Sequence, residues 1–370
     1  MNDIFKLADD LGPLKVIHVH EPGIGLKGAL VVDNVARGPS VGGVRMAADV
    51  TTEECARLAR AMTFKNAAAD LQHGGGKAVL MGDPKMPREQ KETLIRGFCC
   101  ALREVEQYIF APDMGTDEEC MGWVKDEIDR VVGLPRELGG IPLDKIGATG
   151  FGLSLAVDVA REFCDLKIKG ARIVVQGFGA VGKHATKFLC EAGAIPVAVS
   201  DSAGTIHNPD GLDVDALIAL KSSGKSVTEY VPGEKLDGDA IIDIGCDIWI
   251  PAARPDVIHE GNVNRLNTRL IVQGANIPIT YAAEKALHQK GILNVPDFIA
   301  NAGGVICAAT EYQGAGEAAA FTAIEEKLRR NTRELLQTAM RDQILPRDAA
   351  LAMARRRVEQ AMSYRRWHIF

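Results

Sequence analysis

The chain has 370 residues, 46% of them hydrophobic and 25% charged, with a formal net charge of −6. That length supports two domains with a sizeable core. The acidic balance offers no basic surface to nucleic acid or anionic lipid, and no apolar run is long enough to span a bilayer. The eight cysteines are scattered and none pairs in a C-x-x-C spacing. They read as reduced thiols, with neither a disulfide frame nor a metal site. The first ten residues carry acids and no signal-peptide core, so a cytoplasmic location is the expectation.

From residue 14 to 47 short apolar runs alternate with glycine and proline. Val16–Val19, Gly28–Val32 and Gly43–Met46 are expected as strands of a first sheet, turning at Pro22–Gly25 and Gly38–Pro39. Thr51-x-x-Glu54 has the form of a capping box, opening a helix to about Asp70 that carries Met62 and Lys65. Gly74-Gly-Gly-Lys77 reads as a glycine turn entering a strand that ends at Met81. A helix over 88–104 and a strand over Tyr108–Ala111 follow, ending at Pro112-Asp113. Thr116-x-x-Glu119 is expected to cap another helix. Gly139–Pro142 reads as a linker, with a helix from about Thr149 leading into a second domain.

The most informative stretch is Arg172-Ile-Val-Val-Gln-Gly177-Phe-Gly179-Ala180-Val181-Gly182. A buried strand runs into G-x-G-x-x-G and then a helical pattern, as in a dinucleotide-binding turn. The first glycine permits the turn, the second lets a pyrophosphate approach the backbone, and the third lets helix and strand pack closely. A second strand, Ile195–Ser200, ends at Asp201, 24 residues after Gly177. That is near the spacing of about 20 expected for the acid that accepts from a ribose hydroxyl. Further strands are expected near 247–251, 269–273 and 292–295, making a parallel, two-sided sheet. The ends of these strands carry Gly274-Ala-Asn276 and, shortly after, Asn301-Ala-Gly-Gly304. Beyond 304 the chain reads as helical, broken at Pro346. The expected organisation is therefore α/β in two domains. Residues 1–142 form a catalytic domain and 143–330 a Rossmann-type doubly wound domain. Helices over 331–370 return to the first, with hinges near 139–149 and after about 304.

Seven motifs in this order resemble the glutamate/leucine/phenylalanine/valine dehydrogenases. They are Gly38-Pro-Ser-Val-Gly-Gly-Val-Arg-Met46, Met62-Thr-Phe-Lys-Asn66, Gly74-Gly-Gly-Lys77, Ala111-Pro-Asp-Met-Gly-Thr116, the Gly177 fingerprint, Gly274-Ala-Asn276 and Asn301-Ala-Gly-Gly304. The resemblance implies oxidative deamination of an L-amino acid to a 2-oxo acid and ammonia, with a nicotinamide coenzyme. It implies that Lys65 holds the substrate α-carboxylate, that Lys77 is the catalytic lysine, and that Asp113 exchanges protons with the amine. Two lysines in a dry site would depress each other's pKa. Thr149, Asn276 and Asn301 would lie beside the nicotinamide and its ribose. Taken singly, Lys77 reads as a solvated lysine, Lys65 as a snorkelling one, Asp113 as an acid before a helix, and the asparagines as turn residues.

Substrate choice is expected to rest on Val41, Gly42, Gly43, Met62 and Ala308. The glutamate enzymes of this family resemble one another in carrying lysine where this chain has Val41 and serine where it has Ala308. A glutamate carboxylate buried against those residues would lack a partner, whereas an apolar side chain gains about 25 cal/mol per Å² buried. A hydrophobic substrate, branched-chain or aromatic, is the expectation. The dinucleotide half, with Val199–Gly204 and Asn208–Asp213, looks closer to glutamate dehydrogenases. Glutamate thus stays the alternative, anchored through Arg45 or another cation, and a silent NAD-binding sensor is a second. NAD is expected over NADP, because Asp201 would repel a 2′-phosphate and no Arg or Lys lies between 201 and 210. A homo-oligomer with small-molecule substrates, and no nucleic-acid or membrane partner, completes the expectation.

Overall fold

The computed structural model describes residues 5–365. Its chain divides into two compact units. The first comprises the chain up to Pro142 together with 305–320 and the stretch from Leu351 on. The second comprises Leu143–Gly304 and Phe321–Ala350.

The first unit holds β1 (Lys15–Glu21), β2 (Leu26–Asn34), β3 (Ser40–Ala47), α1 (Thr52–Ala68), β4 (Gly74–Met81), α2 (Arg88–Ala101), β5 (Tyr108–Pro112) and α3 (Glu118–Ile128). The strands form one mixed sheet in the order β1-β2-β4-β3-β5. β3 runs parallel to both β4 and β5, and β2 antiparallel to β1 and β4. Strand alternation decides the two faces. Val44, Met46, Ala78, Leu80 and Phe110 point into a core with Leu94, Ile95 and Phe98 of α2 and Met121 and Val124 of α3. Val79 points the other way, with Cys55 and Ala59 of α1.

The glycine triplet is part of β4 and not a turn before it. A Cβ on Gly75 would stand 2.0 Å from the Thr63 backbone nitrogen, and one on Gly76 2.8 Å from the Tyr108 ring. These glycines bring α1 and the neighbouring side chains against the strand; their Cβ directions are filled by protein. Gly75→Ala is expected to lower stability by about 3 kcal/mol through overpacking against the helix backbone. An unchanged thermal midpoint would contradict this packing. Thr51 caps α1 as expected, accepting from Glu54 N–H at 3.1 Å. The cap of α3 is Asp117, not Thr116. The Asp117 carboxylate accepts from Cys120 N–H at 3.0 Å, while the Thr116 hydroxyl is spent on Val44 O at 2.8 Å.

The second unit begins with α4 (Leu143–Ile146) and α5 (Ala148–Ala160). It continues through β6 (Arg172–Gln176), α6 (Ala180–Glu191), β7 (Ile195–Asp201), β8 (Gly204–His207), α7 (Val214–Ser222), β9 (Glu234–Leu236) and β10 (Ile248–Pro251). β11 (Leu270–Val272), α8 (Tyr281–Gln289), β12 (Leu293–Val295) and α9 (Asp297–Ala300) follow. The sheet order is β12-β11-β10-β6-β7-β8-β9. Strands β12 to β7 are parallel, while β8 and β9 pair antiparallel. This is a Rossmann-type sheet whose order reverses at β6, the switch point where such sheets bind ligands. The sheet is thus mixed and not wholly parallel as expected: neither β8 nor β9 is among the expected strands, because runs as short as GTIH and EKL carry too little alternation to stand out.

Three helices close the chain: α10 (Gly303–Tyr312), α11 (Glu317–Asp342) and α12 (Pro346–Ser363). The return to the first unit differs from the expected 331–370. It begins at Val305, leaves at Phe321 and resumes at Leu351. Buried Glu311 anchors the 305–320 stretch, its carboxylate accepting from the backbone N–H groups of Gly133, Leu134 and Ile141 at 2.8–3.1 Å. Arg357 anchors the last stretch, donating to Ala67 O and Ala68 O at the C-terminal end of α1. Among the described residues no helix is long and apolar enough to cross a membrane.

Candidate active site

Two groups of residues stand out, one in each unit. In the first, alternation along β3 puts Val41, Gly43 and Arg45 on the α1 face. β4 presents Lys77 to the same side. Lys77 Nζ lies 2.5 Å from Asp113 Oδ2 at the end of β5, and the Lys77 side chain is only 7% exposed. The same carboxylate oxygen accepts from Arg45 Nε at 3.0 Å, and Arg45 Nη1 reaches Glu54 Oε1 at 2.5 Å. The Asp113 turn is closed by its own N–H donating to Thr116 Oγ1 at 3.0 Å. Gly43 makes room for the pair, since a Cβ there would fall 2.6 Å from Asp113 Cβ and 3.2 Å from Lys77 Nζ. Gly42 points to the opposite side, where Gly76 O would lie 1.8 Å from its Cβ. Its carbonyl accepts from the Tyr108 hydroxyl at 2.5 Å.

Burial pushes the Lys77 ammonium below the ordinary lysine range, and Arg45 acts in the same direction while Asp113 opposes it. Burial alone would raise Asp113, but Lys77 and Arg45 outweigh it and hold the carboxyl below its usual range. The second cation at this carboxylate is thus Arg45, a residue that sequence reading considered only as a substrate anchor. The signal was available: Arg45 is two residues from Gly43 on a strand. Lys65 lies in the last turn of α1, two residues past Thr63, whose backbone abuts Gly75. Met62 is half-buried on the same helix, and Ala308 is half-buried on α10.

In the second unit, Gly177 has φ +97, the left-handed conformation a glycine allows, and its N–H donates to Ser200 O at 3.2 Å. Gly179 precedes Ala180 and Val181 in the first turn of α6, with open space where a Cβ would be. A Cβ on Gly182 would meet Gly177 O at 2.0 Å, so helix and turn pack as the motif requires. Asn301 Nδ2 donates to Asn276 Oδ1 at 3.0 Å and to Gly274 O at 3.3 Å. Thr149 lies beside Gly303 and Gly304, whose Cβ atoms would meet Thr149 Cα and Oγ1 at 3.1 Å. The three residues expected near the nicotinamide therefore flank adjoining backbone segments. Buried Asn301 Oδ1 and Gln176 Oε1 have no partner among the described residues. Orphaned acceptors beside a glycine cradle at a switch point fit a dinucleotide.

The chain matches the Glutamate/Leucine/Phenylalanine/Valine dehydrogenase model over residues 139–366 and the dimerisation-domain model of the same group over 14–130. It belongs to that family. As a member it is an NAD(P)-dependent amino-acid dehydrogenase. It is 39% identical to a glutamate dehydrogenase of Aeropyrum pernix over 359 residues, which is 90% of this chain and 85% of the relative. It is 34% identical to an NAD-specific glutamate dehydrogenase of Staphylococcus aureus, covering 90% and 85%. The fold matches the hetero-hexameric glutamate dehydrogenase of Thermus thermophilus in a Leu-bound form, with TM-score 0.83 and 28% identity over 95% of this chain and 90% of that one. It also matches the L-tryptophan dehydrogenase of Nostoc punctiforme, with TM-score 0.77 and 23% identity over 95% and 98%.

For a member of this family, the surroundings of Asp201 are notable. One carboxylate oxygen accepts from Lys221 Nζ at 2.8 Å and Val227 N–H at 3.0 Å. The other accepts from Ser226 Oγ at 2.9 Å and Ala203 N–H at 3.0 Å. Lys221 comes from α7, beyond the 201–210 stretch that holds no Arg or Lys. Burial would raise the Asp201 carboxyl, but these donors and the Lys221 charge hold it below its usual range.

Proposed function

We propose that the chain oxidatively deaminates a hydrophobic L-amino acid to its 2-oxo acid and ammonia, reversibly, with NAD as the preferred coenzyme. The observation that carries the substrate class is Val41 on the same strand face as Gly43 and Arg45. The one cation on that stretch of β3, Arg45, is already engaged by Asp113 and Glu54. A substrate γ-carboxylate seated against Val41 would be desolvated without a partner. Glutamate is the second reading, favoured by relatives named glutamate dehydrogenase at 34–40% identity.

In this reading Lys65 binds the α-carboxylate. The bound coenzyme supplies the acceptor for the hydride leaving the α-carbon. Lys77, with its depressed pKa, takes a proton from the water that adds to the resulting imine, and its ammonium then steadies the carbinolamine oxygen. Asp113, held as a carboxylate beside Lys77, takes a proton from the substrate ammonium before the hydride leaves and returns it to the carbinolamine nitrogen. The C–N bond then breaks, the hydroxyl proton leaves with the ammonia as ammonium, and Lys77 gives its proton to solvent. Initial rates of NADH formation at pH about 9–10 with leucine, valine, phenylalanine, tryptophan and glutamate test the assignment. Preference for an apolar substrate is the expected result. Preference for glutamate overturns the substrate class. NADH binding without turnover of any amino acid favours a sensor.

On coenzyme choice, Lys221 offsets the charge of Asp201, so repulsion of a 2′-phosphate is weaker than from an unpaired carboxylate. Lys221→Ala is expected to raise the NAD-over-NADP ratio of kcat/KM by roughly tenfold, the scale for one partly exposed charge. An unchanged ratio would remove Asp201 from coenzyme selection. A homo-oligomer built through the first unit, whose matching model is described as a dimerisation domain, is part of the proposal; light scattering tests it.

A further inference from the structure

At the carboxyl ends of β11 and β12 three charged side chains meet almost out of water: Glu284 at 2% exposure, Asp297 at 7% and Arg347 at 14%. Arg347 is the second residue of α12. Its Nε donates to Glu284 Oε2 at 2.6 Å. Its Nη2 donates to Glu284 Oε1 at 2.9 Å, to Asp297 Oδ1 at 2.9 Å and to Gln273 Oε1 at 3.2 Å. Gln273 in turn donates to Glu284 and Asn294. Buried ion networks are poor stabilisers, often matched by apolar residues of the same volume. Stability alone is thus a weak reason for this one.

The second oxygen of Asp297 shows where the network leads. It accepts from Ile277 N–H at 2.8 Å, while Ile277 O accepts from Asp256 N–H at 3.0 Å. Ile277 has φ +43, a conformation that β-branched residues avoid. Its side chain is 54% exposed, so burial does not hold it there. The backbone bonds on either side do. The residue before it is Asn276, which contacts Asn301.

We propose that Arg347 is a positioning residue for coenzyme binding: through Asp297 it fixes the strained Ile277 peptide and so sets the orientation of Asn276 toward the nicotinamide ribose. This rests on the reading of Asn276 and Asn301 as the coenzyme's neighbours. The Arg347 guanidinium is engaged by Glu284, Gln273 and Asp297, so its effect is proposed to run through them.

The test uses the full chain with Arg347→Met, Arg347→Lys, Asp297→Asn, Ile277→Gly and Asn276→Ala. NADH affinity is read by fluorescence, with KM for coenzyme and amino acid and the thermal midpoint alongside. Arg347→Met and Asp297→Asn are each expected to weaken NADH binding by about tenfold, with the amino-acid KM within twofold. The double variant should be no worse than the singles, and Arg347→Lys should recover part of the loss. Ile277→Gly should weaken NADH binding without lowering the midpoint, which keeps the idea testable should Arg347→Met fail to fold. A lower midpoint with unchanged NADH affinity in the Arg347 and Asp297 variants, while Asn276→Ala weakens binding, overturns the positioning role alone. Unchanged affinity in Asn276→Ala as well overturns the half-site on which it rests.

Discussion

Replacing Lys77 by alanine is expected to lower kcat by about 10³- to 10⁴-fold, the upper range for a positioned acid–base group, while NADH affinity stays within twofold. Lys77 is nearly buried, touches Asp113 at 2.5 Å and belongs to the first unit, whereas the glycine cradle belongs to the second. Burial lowers its pKa below that of a free lysine. The neutral amine, the form that takes the proton from water in the proposed mechanism, is therefore present at a lower pH than for an ordinary lysine. Activity should rise with pH through that depressed pKa, and the limb should vanish in Lys77→Ala. Asp113 acts on Lys77 in the opposite sense, since its carboxylate favours the ammonium. In Asp113→Asn the residual activity should thus have its limb at lower pH than wild type, since the Arg45 charge that lowers the Lys77 pKa remains. A limb that stays put, or Lys77→Ala turnover near wild type, removes Lys77 from the chemistry.

Val41→Lys is expected to shift the ratio of kcat/KM for leucine over glutamate by about 10²-fold toward glutamate. A hydrophobic pocket gains only 10- to 200-fold from a methylene or so of fit, but a desolvated carboxylate without a partner is penalised more heavily. Adding an ammonium on the β3 face changes both terms at once: the apolar contact is lost and a γ-carboxylate gains its counter-charge. Arg45 does not supply that charge in the present chain because Asp113 and Glu54 hold it. Steady-state kinetics with both amino acids measure the shift. An unchanged ratio would place the substrate side chain away from Val41, and glutamate turnover by the wild type would point to another anchor.

Much of this arrangement is legible in the sequence. The strand at Arg172–Gln176, the glycines after it and Asp201 were readable because each is forced by local backbone demands. Asp113 was readable as the residue after an apolar strand, whereas Lys77 alone reads as a solvated lysine after glycines, and the roles of both come only from the family resemblance. Three kinds of information were not readable. The triplet Gly74–Gly76 looks like a turn, since glycine marks turns as readily as close packing, and only Thr63 and Tyr108 across the sheet distinguish the two. Thr116 looks like a cap because Ser and Thr favour caps, yet Asp117 takes the role once Val44 O claims the hydroxyl. Lys221 and Arg347 reach their carboxylates across 20 and 50–63 residues. Pairing over such distances leaves no trace in local pattern.

The path of the chain has a consequence for how the protein is made. The first unit is assembled from three separate stretches, the last beginning at Leu351, and Arg357 donates to the carbonyls that end the helix carrying Lys65. During synthesis the second unit has almost all its residues in hand while the first still lacks a piece. A chain cut anywhere before α12 would leave α1 without that cap. A contiguous fragment of the first 142 residues would lack both later stretches. Biosynthesis therefore runs in an unusual sequence: the unit that begins first is completed last, and the end of α1 gains its Arg357 cap only after α12 has been made.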